Sequence, residues 1–108
     1  MKREKSESEI VRDICEYLKE LKIPHSVTNA SANMGGWKRQ RGFKTTKGWP
    51  DIVGVIPIDG KFLAIEVKTK DGKVSLEQAG FLQVLKESKA CVIVARSVRD
   101  VSEAIRGV

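Results

Sequence analysis

Residues 48–69 decide the fold, and they read GWPDIVGVIPIDGKFLAIEVKT. The β-branched run at 52–58 is followed by Asp59-Gly60, a pair typical of a tight hairpin turn. Residues 62–69 alternate in character, so they are expected to form the returning strand of an antiparallel hairpin. One face of that strand carries Leu63, Ile65 and Val67, and the other carries Phe62, Ala64, Glu66 and Lys68.

A capping pattern places a helix before the hairpin. Ser6 with Glu9 has the form of a capping box, and the apolar residues that follow recur at helical spacing. These features predict a helix over residues 7–22 that ends before Pro24. The residues at 23–30 fit a short strand, and part of the segment that follows, around 42–46, fits another.

The C-terminal third contains the same kinds of signal. Ser75 with Gln78 is a second capping-box pattern, and it predicts a helix that ends near residue 88. Residues 90–95 are all apolar and are expected to form a strand, and Ser97 precedes a terminal helix. The predicted order is α-β-β-β-α-β-α. Because a strand, a helix and a strand imply a right-handed crossover, this order indicates an α/β fold with a central mixed sheet flanked by helices.

Composition narrows the class of protein. The 108 residues predict a single domain over 1–108, and 41% hydrophobic with 31% charged residues fits a globular chain. No apolar stretch approaches the roughly 20 residues of a membrane span, and the polar N-terminus predicts no secretory signal. Cys15 and Cys91 lie in apolar runs and predict a reduced pair, while His25 is the only histidine, which disfavours a zinc site. We therefore expect a cytoplasmic protein.

Positive charge is concentrated in one segment. Five of the cations that produce the net charge of +6 lie between residues 33 and 50 without any acid, which leaves +1 for the rest of the chain. Aromatic side chains at 37, 43 and 49 alternate with these cations. Clustered cations beside planar rings suit a phosphate backbone and exposed bases. The segment therefore predicts DNA contacts by Trp37, Lys38, Arg39, Arg41, Lys44 and Lys47.

The hairpin also carries a candidate metal site. Asp51 and Glu66 lie at nearly equal distances from the turn, so they are expected to be neighbours across the two strands. Carboxylate oxygens without His or Cys select Mg²⁺ or Mn²⁺, and the carbonyl of Val67 would supply a further oxygen. Such an ion would polarise a phosphate and lower the pKa of a bound water, and Lys68 would stabilise the charge that develops on the phosphate.

Three pieces of the chain together resemble the PD-(D/E)XK nuclease superfamily. They are Gly48-Trp49-Pro50-Asp51, Glu66-Val67-Lys68 and Glu77-Gln78, and within the superfamily they are most similar to the stand-alone VRR-NUC domain of phage and bacteria. The resemblance extends from residue 9 to residue 95 and implies a restriction-endonuclease-like core. Small members of this family resemble Holliday-junction resolvases and form dimers.

This resemblance implies roles for individual residues. It assigns catalytic roles to Asp51, Glu66, Lys68, Glu9 and Gln78, and metal ligation to Asp51, Glu66 and the Val67 carbonyl. Glu9 and Gln78 each occupy the third position of a capping box, where bonding to the backbone is also a sufficient reason for them. The implied protein is a Mg²⁺- or Mn²⁺-dependent DNA endonuclease, acting as a homodimer on branched or flapped DNA.

Two other functions remain open at this point. A non-catalytic DNA-binding module would use the basic segment 37–49 alone, with the carboxylates as structural ion pairs. A protein–protein accessory domain is the third reading, and the local excess of cations counts against it. Burying charged groups on an apolar strand is costly unless they have partners or a purpose, and this favours the enzyme.

Overall fold

The computed structural model describes residues 3–28, 48–57 and 59–107. Along the chain these residues form α1 (Glu7–Glu20), β1 (His25–Val27), β2 (Ile52–Ile56), β3 (Lys61–Val67), α2 (Leu76–Glu87), β4 (Cys91–Ala95) and α3 (Val98–Arg106). The order confirms the predicted α/β class. The strand expected around 42–46 lies outside the described residues.

The strands form a mixed sheet in the order β1-β2-β3-β4. β1 pairs antiparallel with β2, β2 pairs antiparallel with β3, and β3 pairs parallel with β4. The hairpin turn has Gly60 at φ +74°, a conformation that glycine adopts without strain. In the resulting register Ile52 lies opposite Ile65. The parallel pair requires a crossover, and α2 provides it.

The two faces of β3 differ as predicted. Leu63, Ile65 and Val67 are fully buried in the main hydrophobic cluster, where residues of α1 and α3 cover them. The opposite face of the sheet supports α2, which packs against β4. Among the described residues, no helix combines the length and the apolarity that a membrane crossing requires.

Both predicted capping boxes are present. Ser6 accepts from the N–H of Glu9, and the Glu9 carboxylate accepts from the N–H of Ser6. Ser75 and Gln78 form the same reciprocal pair at the start of α2. These caps satisfy backbone donors that have no partner inside the helix, so they define where each helix begins.

The apolar residues of α2 do not all face inward. Apolar residues occupy positions 76, 79, 82 and 85 of the predicted helix, but Leu76 is 92% exposed and only Leu82 is buried. The reason is geometric: a step of three residues turns a helix by about 300°, so these side chains spread around its circumference. The outer face of α2 consequently carries apolar groups that the described residues leave uncovered.

Candidate active site

The backbone at Asp51 is held in place by Thr28, the residue that follows β1. The N–H of Thr28 donates to the Asp51 carbonyl at 2.8 Å, and the Thr28 hydroxyl donates to the carbonyl of Pro50. Pro50 is fully buried. These bonds extend the β1–β2 pairing past the formal end of the strand and fix the backbone from which the Asp51 side chain projects.

The residues before Asp51 are anchored on α2. Gly48 has φ +87°, and a Cβ there would lie 3.0 Å from the carbonyl oxygen of Glu77. Trp49, the next residue, packs edge-on against Phe81, with the ring centroids 5.1 Å apart. It also packs in a tilted arrangement against Phe62, with the centroids 6.4 Å apart. Trp49 therefore joins the sheet to α2. This packing accounts for a tryptophan at position 49 without any role in stacking on DNA bases.

The register brings the two acids together. Ile52 lies opposite Ile65, so Asp51 and Glu66 are the next pair along the same two strands. The Asp51 Oδ2 accepts a hydrogen bond from the N–H of Val67 at 2.8 Å. This bond turns the Asp51 carboxylate towards the end of β3, where Glu66 and Lys68 are located.

Glu66 is a buried carboxylate with unequal oxygens. Its side chain is 1% exposed. Its Oε2 accepts from the Gln78 Nε2 at 2.8 Å and lies 3.3 Å from the Lys68 ammonium nitrogen. Its Oε1 is also buried and has no hydrogen-bond partner among the described residues. A buried oxygen without a donor is unfavourable, most of all on a charged group.

These surroundings change the acidity of Glu66. Burial is the largest cause and repulsion by the Asp51 carboxylate is the second, and together they raise the pKa of Glu66 from 4.5 to about 7. The Lys68 ammonium acts in the opposite direction but does not cancel them. Strongly shifted acids of this kind concentrate at functional sites.

A divalent cation fits this arrangement. It would give the Glu66 Oε1 a partner and would remove the repulsion between Glu66 and Asp51. The donors are hard carboxylate oxygens, which suit Mg²⁺ or Mn²⁺. Within the described ranges no group of three or more His, Cys, Asp and Glu side chains is placed to hold a metal, and metal ligation by Asp51 and Glu66 stays a prediction.

The Gln78 side chain makes two contacts at once, and its catalytic role stays a prediction. Its Oε1 accepts from the N–H of Ser75 at 3.0 Å and completes the capping box. Its Nε2 donates to Glu66 at the same time. The first turn of α2 is therefore fixed to the candidate active site by one side chain.

Glu9 has different neighbours in the structure. The Arg3 guanidinium binds both of its oxygens, at 2.7 and 2.8 Å, and the N–H of Ser6 donates to one of them. These contacts, led by Arg3, hold the pKa of Glu9 well below its usual range. Glu9 thus acts as a cap and an ion-pair partner here, and its catalytic role stays a prediction.

The other candidates from the sequence are placed as follows. The predicted DNA contacts Trp37, Lys38, Arg39, Arg41, Lys44 and Lys47 lie outside the described residues. Cys15 and Cys91 are free, half-buried thiols packed against the core, and burial raises the pKa of each. His25 is bonded through Nδ1 to the carbonyl of Ile23 at 2.8 Å, as expected for a structural histidine.

Sequence reasoning missed Arg96. Its Nη1 lies 2.5 Å from the carbonyl oxygen of Thr69, 2.7 Å from that of Gly72 and 3.3 Å from that of Lys70. One guanidinium thus holds the connection that leads from Lys68 to α2. No local pattern identifies this contact, because its partners are more than twenty positions away in the chain.

The comparisons with known proteins agree with this geometry. One solved structure, described as a VRR_NUC domain, is similar over 93% of this chain and 94% of its own, with a TM-score of 0.66 and 20% identity. Identity this low supports the fold alone. No curated protein matches the sequence. A model of the VRR-NUC domain matches residues 4–99, which is most of the chain. The protein therefore belongs to the VRR-NUC family of the PD-(D/E)XK superfamily and has a nuclease fold.

Proposed function

We propose that the protein is a metal-dependent DNA endonuclease that hydrolyses phosphodiester bonds. The observation that carries this proposal is the buried Glu66 carboxylate, which has one unpartnered oxygen and a raised pKa next to Asp51. Asp51, Glu66 and the Val67 carbonyl would hold Mg²⁺ or Mn²⁺. Bound there, the ion would supply Lewis-acid polarisation of the phosphate and a water of lowered pKa.

The protein's own side chains would then orient the Glu66 carboxylate and stabilise the charge that develops on the phosphate. Lys68 is 12% exposed and carries a positive charge close to Glu66, so it would stabilise negative charge that develops on a phosphate. Gln78 holds the Glu66 carboxylate in one orientation through its 2.8 Å hydrogen bond. Glu9 is retained as a further catalytic candidate, which would have to exchange its Arg3 partner on substrate binding.

We assign the electrostatic attraction of DNA to the basic segment 37–49. The described residues carry as many acidic as basic side chains, so the net charge of +6 resides in the other residues, mainly at 38–47. Attraction of a polyanion therefore depends on that segment. We further propose that the substrate is branched or flapped DNA inside the cell, and that a homodimer binds it, because one chain of this size offers little surface to a branched duplex.

A cleavage assay tests the enzyme against the non-catalytic DNA-binding module. Asp51→Asn, Glu66→Gln and Lys68→Ala should each lower the cleavage rate at least about hundredfold in Mg²⁺ or Mn²⁺ while DNA binding is retained. Glu103→Gln is the matched control, because Glu103 is an exposed acid paired with Arg99. Binding by the wild type without cleavage in any divalent metal would favour the module.

A salt titration tests the basic segment separately. Removing Lys38, Arg39 and Arg41 together should weaken DNA binding and reduce the slope of log K against log salt by about three. The matched control removes three cations, Arg12 and Lys19 on α1 and Lys22 in the turn after it, and changes the net charge equally. If both triple variants show the same slope, the segment is not the DNA-contacting surface.

A further inference from the structure

Arg96 is the first residue after β4, and it lies at the sheet edge where the candidate active site is located. β3 and β4 are parallel, so their carboxyl ends lie side by side, with Val67 opposite Ala95. The N–H of Lys68 donates to the carbonyl of Ala95 at 3.0 Å and extends this pairing by one residue. Arg96 is therefore next to the residues that follow Lys68 along the chain.

One guanidinium nitrogen of Arg96 holds the turn at residues 69–72. Its Nη1 donates to the carbonyls of Thr69 and Gly72, the latter at 2.7 Å, and lies 3.3 Å from the carbonyl oxygen of Lys70. The N–H of Gly72 also donates to the carbonyl of Thr69, at 3.1 Å. Hydrogen bonds from an ionised donor are stronger than those between neutral groups, so Arg96 adds the stronger restraint on this turn.

The backbone of Arg96 is itself fixed by α3. Its N–H donates to the Asp100 Oδ2 at 2.8 Å, and the N–H of Asp100 donates to the hydroxyl of Ser97, which caps the helix. The next residue of the helix, Val101, is fully buried. An exposed arginine ordinarily samples many rotamers, but this one is bonded at its backbone and at its guanidinium. Arg96 therefore joins the turn to α3 as an ordered side chain.

The connection that contains this turn carries two partners of Glu66. Lys68 precedes the turn, and Ser75 follows it and begins α2 through its capping box with Gln78. The Lys68 ammonium nitrogen lies 3.3 Å from the Glu66 Oε2, and the Gln78 Nε2 lies 2.8 Å from the same oxygen. A displacement of the turn would therefore move both partners relative to the carboxylate.

We propose that Arg96 is a positioning residue of the candidate active site, which holds the turn at 69–72 and thereby fixes Lys68 and Gln78 against the Glu66 carboxylate. The inference rests on the proposed function, in which Lys68 stabilises charge on the phosphate. Misplacing a catalytic group by about 1 Å can lower a rate about hundredfold. A guanidinium that bound DNA directly would instead act on affinity, because each phosphate contact contributes to binding.

Cleavage kinetics separate positioning from DNA contact. Arg96→Ala should lower kcat about tenfold to hundredfold in Mg²⁺ or Mn²⁺ and change the dissociation constant for DNA less than about twofold. Arg96→Lys should recover most of kcat, because the carbonyl oxygens surround a single nitrogen and the hydrogens of an ammonium can satisfy them. Arg99→Ala is the matched control, because it removes the same charge from an exposed arginine that pairs with Glu103 on α3. Urea denaturation checks that each variant is folded, and Arg96→Gln replaces Arg96→Ala in these assays if the alanine variant is not.

The NMR signal of the Glu66 carboxyl carbon gives a second readout that needs no activity. It is assigned by its absence from Glu66→Gln. In the metal-free protein at one fixed pH, this signal should shift in Arg96→Ala and keep its position in Arg99→Ala. An unchanged kcat, a loss of DNA affinity in place of kcat, or an unmoved Glu66 signal would overturn the inference. A wild type that cleaves no DNA would overturn the proposed function, and the Glu66 signal would still decide whether Arg96 positions its partners.

Discussion

Replacing Glu66 by Gln should stabilise the metal-free protein at neutral and alkaline pH. In the wild type the folded state must bury an ionised carboxylate beside Asp51, with one oxygen that lacks a donor. Gln has nearly the same shape and no charge. Its oxygen can still accept from Gln78, and its amide can donate to the neighbouring carboxylate. The residue that we propose to be essential for catalysis is thus expected to be unfavourable for folding.

The magnitude follows from the acidity of the group. Folding raises the pKa of Glu66 from 4.5 to about 7. Each unit of pKa corresponds to about 1.4 kcal/mol, so the cost of the ionised group is about 3 kcal/mol once it is fully deprotonated in both states. Domains have total stabilities of roughly 5–15 kcal/mol, and a difference of this size is readily measured.

The pH window has a definite direction. Below about pH 4.5 Glu66 is protonated in both the folded and the unfolded state and contributes no difference. Between pH 4.5 and about 7 only the folded state keeps the proton, so the stability of the wild type falls as pH rises. Above about pH 7 Glu66 is ionised in both states, and the stability of the wild type falls no further from this cause. The Glu66→Gln variant lacks this titration, and its advantage should grow by about 3 kcal/mol across the window.

Urea denaturation followed by circular dichroism at several pH values, in EDTA, measures this difference. Glu103→Gln serves as the control, since an exposed acid should show almost no such pH dependence. Mn²⁺ added at pH 8 should restore much of the lost stability to the wild type and little to Glu66→Gln. Wild-type and Glu66→Gln curves that run parallel from pH 4.5 to 8 would refute the reasoning.

Three further changes test the surroundings of the site. Gly54→Ala would place a Cβ 2.4 Å from the carbonyl oxygen of Pro24 and should lower the free energy of unfolding in urea by about 1–3 kcal/mol. Gln78→Ala removes a donor from the Glu66 carboxylate, so the midpoint of the stability titration in EDTA should move to higher pH. Arg96→Ala releases the carbonyls of residues 69–72, and hydrogen exchange should accelerate in that connection while exchange in α1 is unchanged.

Much of the fold follows from local patterns in the sequence. The run at 52–58 with Asp59-Gly60 determines the hairpin, and the symmetry of that hairpin about its turn is what predicts Asp51 opposite Glu66. The capping boxes at Ser6 and Ser75 are equally local, since each involves residues three positions apart. The hairpin and the helix starts can be predicted from the sequence because each depends only on residues that are close together in the chain.

The remaining features depend on contacts between distant segments. Thr28 bonds the carbonyls of Pro50 and Asp51, more than twenty positions away, and a threonine just after a short strand has no distinguishing pattern. The exposure of Leu76 is similar, because an apolar residue at helical spacing is normally assumed to face the core. Which face of α2 is covered depends on how the helix lies on β4, and no local rule determines that.

Gln78 connects the start of α2 to the candidate active site through one side chain. Its Oε1 accepts from the N–H of Ser75 in the capping box, and its Nε2 donates to Glu66. The capping box therefore restricts the orientations of the Gln78 amide and favours the one that donates to Glu66. Ordering of this kind lowers the entropy that metal binding must otherwise overcome.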